Sequence, residues 1–484
     1  MRRKTVKRAL PLRGKAKHSF IGFIFIVEKR LSKGNLFLLC KIFFVPLPSL
    51  ANKEMQKVLI ITYYWAPAGG PGVQRWLKFA KYLRYFGIEP VIYAPENPFY
   101  PITDPEIDKD LPEDITVVKQ PIWEPYRLAS LFSKKKTQSI SAGMIPRKRV
   151  SLLEKLMLWV RGNLFIPDAR KYWVKPSVKF LKRYIKENDI QTIITTSPPH
   201  SVHLIGYHLK RQCPELKWIA DFRDPWTSIG YYKDLRLTRW ADRQHHYWER
   251  EVLQKADAVI ATSFTTGKDF QVLTDTPIYV ITNGYDERPT QEVAPVEKFR
   301  VAHIGSLLSD RNPKLLWQAF AELIAEDRAF ADDFELCLAG KISEDILADL
   351  TAAGLSEYVV NKGYLPHQEA IALQDSAQVL LLIEIDAPET RAIIAGKLFE
   401  YMASGRPIWA VGPESWDVTR ILEETHTGVL MPYNDLNRMK KTVREAYENY
   451  KKGTIQRGDT DLSKYSREKL TGQLANVINR LTKF

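Results

Sequence analysis

The stretch KVLIITYYWAPAGGPGVQRWLKFAKYLRYFGIEPVIYA, residues 57–94, decides the fold class of this 484-residue chain. Lys57–Tyr63 is short, apolar and β-branched, as buried strands are. The loop Gly69-Gly70-Pro71-Gly72 separates it from Val73–Phe86, whose apolar residues fall on one helical stripe. Pro90–Ala94 then has the pattern of a second strand. Strand, glycine turn, helix and strand make a βαβ unit, which predicts α/β architecture with a parallel sheet.

The same alternation continues along the chain and starts afresh near residue 299. In the first half it predicts strands over Thr192–Thr195, Trp218–Asp221, Asp257–Thr262 and Ile278–Thr282, and a helix over Ser201–Cys213. In the second half it predicts strands over Phe299–Ile304, Phe334–Ala339, Val359–Tyr364, Val379–Ile385 and Pro407–Val411, with helices over Pro313–Glu326, Ser343–Ala353, His367–Ala377 and Gly396–Ser404. Two such series predict two Rossmann-like domains that face each other across a ligand-binding cleft.

Charge and composition divide the chain further. The net charge is +15, but residues 1–54 hold 13 Lys/Arg and two acids and so carry +11 of it. The remaining 430 residues carry only +4, which removes most of the support for nucleic-acid binding. The three cysteines are too few and too scattered for a disulfide framework, so we expect a reducing, cytoplasmic compartment, with or without peripheral attachment to the inner face of the cell membrane.

These patterns predict a domain plan. Residues 1–54 are a basic extension, 55–285 an N-terminal domain with a helical insertion at about 134–176, 286–298 a linker, 299–460 a C-terminal domain, and 461–484 a C-terminal helix that packs back on the N-terminal domain. For the extension two interpretations stay open: an interfacial anchor, or a segment outside the native protein, whose start would then be Met55. Its apolar runs are shorter than the roughly 20 residues that a membrane span needs.

The insertion combines positive charge with apolar side chains. From Lys134 to Arg161 there are eight bases and one acid, together with leucines and Trp159. A basic helix of this kind can lie in the interface of an anionic membrane. The alternative is a core-packing helix with a solvated basic flank. Both interpretations stay open.

The glycine loop offers an anion site, because backbone N–H groups at a helix start favour negative charge. Gly69, Gly70 and Gly72 are therefore candidates for binding phosphate or an anionic acceptor group. The spacing GGPG differs from the dinucleotide fingerprint GxGxxG, which disfavours hydride transfer.

The stretch GKLFEYMASGRP, residues 396–407, resembles the donor-site helix of family 4 retaining glycosyltransferases of the GT-B fold, of the bacterial surface-polysaccharide type. The resemblance implies that Glu400 accepts hydrogen bonds from the ribose hydroxyls, and that the backbone N–H groups of Gly396–Leu398 face the diphosphate of a nucleotide sugar. The family often has a glutamate eight residues before this one. Here that position is Ala392, and Glu389 is the nearest acid.

A second similar stretch runs from His303 to Pro313. Where the family has an arginine and then a lysine that hold the pyrophosphate, this chain has Ser306 after Gly305, and Arg311 further on. The resemblance implies that Arg311 and Lys397 offset the leaving-group charge, with Gly305 and Ser306 at the donor. The alternative for Arg311 is a surface arginine at a helix start.

The N-terminal half carries the acceptor-side stretches of the resemblance, which spans about residues 57–455. They are Asp221-Phe222-Arg223-Asp224-Pro225-Trp226, Ser197-Pro198-Pro199-His200 and Ile166-Pro167-Asp168-Ala169-Arg170. The resemblance implies that Asp224 orients an acceptor hydroxyl or stabilises an oxocarbenium-like centre, with Arg223 and His200 beside it. A helix cap or an ion pair to Arg223 is the alternative for Asp224.

Three functions remain in competition. The leading one is a hexosyltransferase that moves a sugar with retention from a nucleotide sugar to a glycan or lipid-linked acceptor. The others are a sugar-nucleotide epimerase of the same fold and a non-catalytic nucleotide-sugar-binding protein. No cofactor is expected, and no metal either, because the sequence shows no HExxH, Cys/His pairing or suitable DxD motif.

Overall fold

A computed structural model describes residues 23–30, 36–43, 55–104, 107, 111–112, 114–125, 152–286, 296–454 and 461–482. The chain forms two compact units, Met1–Met55 and Gln56–Phe484. In the first, strands β1 (Phe23–Arg30) and β2 (Leu36–Phe43) pair antiparallel. Most of the predicted linker, and residues 134–151 of the predicted insertion, lie outside the described residues.

The first half of the second unit is built on a seven-stranded parallel sheet. Its strands are β3 (Gln56–Ile61), β4 (Ile88–Pro95), β5 (Thr116–Gln120), β6 (Thr192–Ser197), β7 (Lys217–Phe222), β8 (Ala258–Ala261) and β9 (Ile278–Val280). The order across the sheet is β5-β4-β3-β6-β7-β8-β9. Sequence patterning missed β5, an edge strand without a fully buried residue that lacks the apolar run of a central strand.

Helices cover both faces of this sheet. They are α1 (Pro71–Leu83), α2 (Leu152–Leu164), α3 (Val174–Glu187), α4 (Ser201–Gln212), α5 (Arg239–Lys255) and α6 (Phe264–Gln271). Because the strands are buried on both sides, their side chains divide between two core clusters, one on each face. Alternate residues of β3 show this division: Leu59 belongs to one cluster and Ile60 to the other.

The second half repeats the plan with six parallel strands. They are β10 (Phe299–Ile304), β11 (Phe334–Ala339), β12 (Val359–Gly363), β13 (Val379–Ile383), β14 (Ile408–Gly412) and β15 (Gly428–Pro432), in the order β12-β11-β10-β13-β14-β15. Its helices are α7 (Lys314–Glu326), α8 (Arg328–Asp333), α9 (Glu344–Ala352), α10 (His367–Ser376), α11 (Gly396–Ser404), α12 (Asp417–Thr425) and α13 (Leu436–Lys451). The prediction of two Rossmann-like domains is confirmed.

The chain returns to the first half through α14 (Arg467–Thr482), which packs on α1. At the crossing point Tyr285 and Ser466 form a parallel bridge, and the Arg467 guanidinium pairs with Asp286 at 3.0 Å. This crossing ties both halves together beside the cleft. None of the described helices is long and apolar enough to cross a membrane.

Candidate functional site

The centre of the site lies where β10 and β13 end side by side. Glu384 directly follows β13, and its side chain is only 2% exposed. Arg311, in the turn after β10, donates Nε and Nη2 to this carboxylate at 2.9–3.0 Å. A bidentate pair of this kind fixes the plane of the guanidinium. Arg311 is thus a positioned cation that is still 29% exposed.

Glu384 was not anticipated from the sequence. The available signal was an acid immediately after the buried run Val379–Ile383, where an unpaired carboxylate would be costly. Its carboxylate also accepts the Ile385 N–H at 2.8 Å, and its backbone carbonyl accepts the Tyr433 hydroxyl at 2.8 Å. These contacts fix the position of Glu384, whose carboxylate orients Arg311.

Lys397 stands in the first turn of α11, and its ammonium lies against Gly305. A Cβ at Gly305 would sit 2.8 Å from Lys397 Nζ, the mobile end of that side chain, and Gly305 has φ +127°, a backbone conformation that favours glycine. Burial, and then the neighbouring Arg311, lower the pKa of Lys397 to about 8, although Glu384 and Glu400 oppose the shift. Within the described part of the chain Nζ has no hydrogen bond or ion pair, so this cation is available to an anionic ligand.

The start of α11 supplies backbone donors as well. The Leu398 N–H already donates to the Ala395 carbonyl at 3.0 Å, and the Leu398 side chain is in the core. Of the three amides proposed to face the diphosphate, those of Gly396 and Lys397 are therefore the ones left for a ligand. Space around Gly396 is open, since a Cβ there would meet nothing within 4 Å.

Glu400 follows one turn later and is partly buried. Together with Gly396 and Lys397 it lines a cavity of about 880 Å³, whose opposite wall comes from the N-terminal half. The structure thus brings Glu400, Lys397 and Gly396 together in the cleft between the two sheets, with Gly305 and Arg311 beside Lys397. Ser306 is exposed and is not among the residues that line this cavity.

The opposite wall contains Arg75 and Lys78 of α1, which sequence reasoning missed. The Arg75 guanidinium is buried and donates to the carbonyls of Ile281 and Thr282 at 2.9 and 2.7 Å, and it pairs with Asp221 at 3.3 Å. Asp221 also accepts the Trp76 indole N–H at 3.0 Å. The first acid of the DFRDPW stretch is therefore a structural anchor for α1.

A second cavity, of about 360 Å³, contains the acceptor-side candidates Asp224, Arg223 and His200. The Asp224 side chain is 45% exposed and lies 3.9 Å from the Arg223 guanidinium, a loose pair that leaves carboxylate oxygen open to a ligand. His200 is 6% exposed and stacks on Trp226 at 4.8 Å. Neither ring nitrogen of His200 has a hydrogen-bond partner among the residues that the structure describes, and burial holds its pKa well below the ordinary value, so the ring is neutral.

Buried side chains of α5 fix the loop that carries Asp224. Glu249 accepts the backbone N–H groups of Trp226 and Thr227 at 3.2 and 3.1 Å. The Trp226 indole N–H donates to His245 Nδ1 at 3.1 Å, which leaves the His245 Nε2–H to donate to the Gly162 carbonyl at 3.1 Å. The loop is thus preorganised.

Asp168 fixes the loop that carries His200. Its carboxylate accepts the Ser201 N–H and hydroxyl, both at 2.8 Å, at the start of α4. The stretch IPDAR, residues 166–170, thus supports the stretch SPPH, residues 197–200, because Asp168 holds the residue that follows His200. Two buried acids, Glu249 and Asp168, therefore hold the cavity's candidate residues in place.

The glycine loop has a structural explanation as well. A Cβ at Gly72 would lie 1.0 Å from Arg223 Nη1, so the guanidinium rests on the start of α1 where a side chain would otherwise be. Gly70 has φ +107°, which favours glycine. Gly69, Gly70 and Gly72 line neither of the two cavities, and their role toward an anion stays a prediction. Glu389, the acid nearest Ala392, pairs with Lys233 across the two halves.

No group of three or more His, Cys, Asp or Glu in the described ranges could hold a metal ion. Two cations and free amides lie at one position with carboxylates beside them, an arrangement that can stabilise an anion electrostatically.

Comparison with known proteins bears on the family and the fold. Residues 298–449 match the family described as Glycosyl transferases group 1. Among solved structures, a glycosyltransferase from Rickettsia africae has 14% identity and a TM-score of 0.56, covering 89% of this chain and 99% of its own. Anabaena HepE, solved with UDP-glucose, has 13% identity and a TM-score of 0.54 over 88% and 99%.

A third similar structure is an S. aureus TarM mutant, solved with Fondaparinux, alpha-GlcNAc-glycerol and UDP; it has 13% identity and a TM-score of 0.53 over 88% and 100% of the two chains. No curated protein matches the sequence. The chain therefore has the two-domain GT-B fold, and within its C-terminal half residues 298–449 are similar to the glycosyl transferases group 1 family.

Proposed function

We propose that this protein is a retaining hexosyltransferase that uses a nucleotide sugar and a glycan or lipid-linked acceptor in cell-surface polysaccharide assembly. The observation that carries the proposal is the pair of cations Lys397 and Arg311 beside Glu400 in the cleft. Breaking a sugar–diphosphate bond builds negative charge on the leaving group. Cations and amides already in position stabilise that charge without reorganisation.

Each of the site residues has a separate role in this proposal. Lys397, Arg311 and the amides of Gly396 and Lys397 bind the diphosphate, and Glu400 accepts hydrogen bonds from the ribose diol. Asp224, in the second cavity, orients the acceptor hydroxyl or stabilises positive charge at the anomeric carbon. HepE and TarM were solved with UDP-glucose and UDP, which supports a nucleotide sugar as the donor. The enzyme acts without a metal, in the cytoplasm or at the inner face of the cell membrane.

A nucleotide-release assay tests this function. The protein is incubated with UDP- and GDP-sugars, with and without a lipid extract that contains acceptor, and with EDTA. Free nucleotide that appears only with acceptor, is unaffected by EDTA, and accompanies a product with the donor's anomeric configuration by NMR is the expected result. Release without acceptor points to hydrolysis or epimerase chemistry, and binding without release points to a binding protein; either result contradicts transfer.

A further inference from the structure

Helix α2 leaves part of its apolar surface in solvent. Leu152, Leu156 and Trp159 follow one another by four and three residues, which puts them on one side of the helix. They are 84%, 57% and 38% exposed. The other side holds α2 in place, because Leu158 is buried against Leu235. An apolar stripe on a helix so anchored marks an interaction surface.

Aromatic rings lie just beyond the end of α2. The Lys171 ammonium donates to the Leu164 carbonyl at 2.7 Å and lies 5.5 and 5.4 Å from the rings of Phe165 and Tyr172. Tyr172 packs edge-on against Trp123 at 4.9 Å, and both rings are about half exposed. Half-exposed Tyr and Trp beside a lysine are typical of the boundary between lipid headgroups and acyl chains.

A row of lysines begins three residues after Tyr172, on α3. Lys175, Lys179, Lys182 and Lys186 are spaced by four, three and four residues, so they share one side of the helix over about 17 Å. All four are exposed, and none forms an ion pair with the residues that the structure describes. This unpaired positive row is complementary to anionic headgroups.

We infer that the α2 stripe and the α3 lysine row form a docking face for the surface of an anionic lipid bilayer. The apolar side chains enter the interface and the lysines bind headgroup phosphates. The same helix α2 reaches the Asp224 cavity through Arg161 and Gly162. Docking therefore brings the acceptor cavity next to the lipid; this last step rests on the proposed function, while the docking itself does not.

Co-sedimentation of the full chain with vesicles tests the docking face. The vesicles are phosphatidylcholine with and without one third phosphatidylglycerol, at low and high salt. Binding should require phosphatidylglycerol and fall with salt. Each lysine contributes about fivefold, so Lys179→Glu with Lys182→Glu should weaken binding at least about 25-fold. The matched control is Lys441→Glu with Lys452→Glu, the same charge change on and after α13, which should bind nearly as the wild type does.

A second set of variants tests the apolar α2 stripe. Leu156→Ser with Trp159→Ser should also reduce binding, whereas Val272→Ser, at a position 85% exposed elsewhere, should not. Unchanged binding in both double variants, or equal loss in the controls, would overturn the proposal. A dimer in sedimentation velocity that Leu156→Ser with Trp159→Ser abolishes, without effect on vesicles, would assign the stripe to a second copy and also overturn it. Vesicle binding without nucleotide release would contradict only the proposed function.

Discussion

Replacing Lys397 by methionine should raise the stability of the folded protein and lower its affinity for a nucleoside diphosphate. The ammonium is partly buried beside Arg311 and against Gly305, and these surroundings lower its pKa from 10.5 to about 8. At 1.4 kcal/mol per pKa unit, keeping Lys397 charged in the folded state costs about 3 kcal/mol at pH 7. Methionine has a similar length and no charge, so Lys397→Met should stabilise the folded protein by up to about 3 kcal/mol.

The sign of the pH dependence follows from the same pKa. Below pH 8 lysine is charged in both the folded and unfolded states, so the wild-type protein bears the full cost. Between pH 8 and about 10.4 the folded-state lysine is neutral while the unfolded one is still charged, and the cost is progressively relieved. The advantage of Lys397→Met should therefore be greatest at pH 7 and disappear as the pH approaches 10.

Ligand binding should change in the opposite direction. Losing a charge-assisted contact to a diphosphate of about 1.5–3 kcal/mol lowers the affinity for a nucleoside diphosphate about 10- to 100-fold. Wild-type affinity should hold below pH 8 and fall by up to about tenfold per pH unit above it, whereas the variant's affinity should stay flat between pH 7 and pH 9.

Denaturant unfolding and calorimetric titration with UDP and GDP, in the same buffers, measure both effects. Lys268→Met, at an exposed lysine on α6, is the control and should change neither. A variant that is less stable than the wild type at pH 7 would show that the Lys397 charge is not costly in the folded state, and one that binds the nucleotide equally well would exclude Lys397 from the diphosphate site.

Other predictions concern Glu400, Arg311 and the N-terminal extension. Glu400→Gln should weaken donor binding about 10- to 100-fold with an unchanged melting temperature, because it removes a charged acceptor of diol hydrogen bonds; equal kinetics with every donor would exclude that role. Arg311→Ala should lower kcat more than it raises KM, because charge on the diphosphate grows in the transition state. Arg311→Lys should restore only part of the lost kcat, since lysine lacks the planar guanidinium that Glu384 orients. An effect on KM alone would contradict this role. Deleting residues 1–54 should leave thermal unfolding and nucleotide binding of the compact unit 56–484 unchanged, as calorimetry can check.

The fold was largely predictable because buried parallel strands have an unmistakable pattern. Lys57–Tyr63 and Val379–Ile383 are short runs of mostly apolar residues, as expected for strands covered on both faces. The edge strand Thr116–Gln120 was missed because solvent on its exposed side permits a mixed sequence.

The candidate site was less predictable, since its geometry depends on partners far apart in sequence. The Arg311–Glu384 pair joins residues 73 apart, and the Arg75–Asp221 pair joins residues 146 apart. Neither pairing leaves a local pattern. Gly305 could be read as a turn residue, but only the fold shows that the Lys397 ammonium occupies the space that its side chain would need.

A crystal structure with the nucleoside diphosphate that binds most tightly tests whether the donor lies between the two halves of the chain. We expect diphosphate oxygens within hydrogen-bonding distance of Lys397 Nζ and of the Gly396 and Lys397 amides, with the ribose hydroxyls on the Glu400 carboxylate. A nucleotide bound outside this cleft, or one in the cleft whose diphosphate does not contact Lys397, would contradict it.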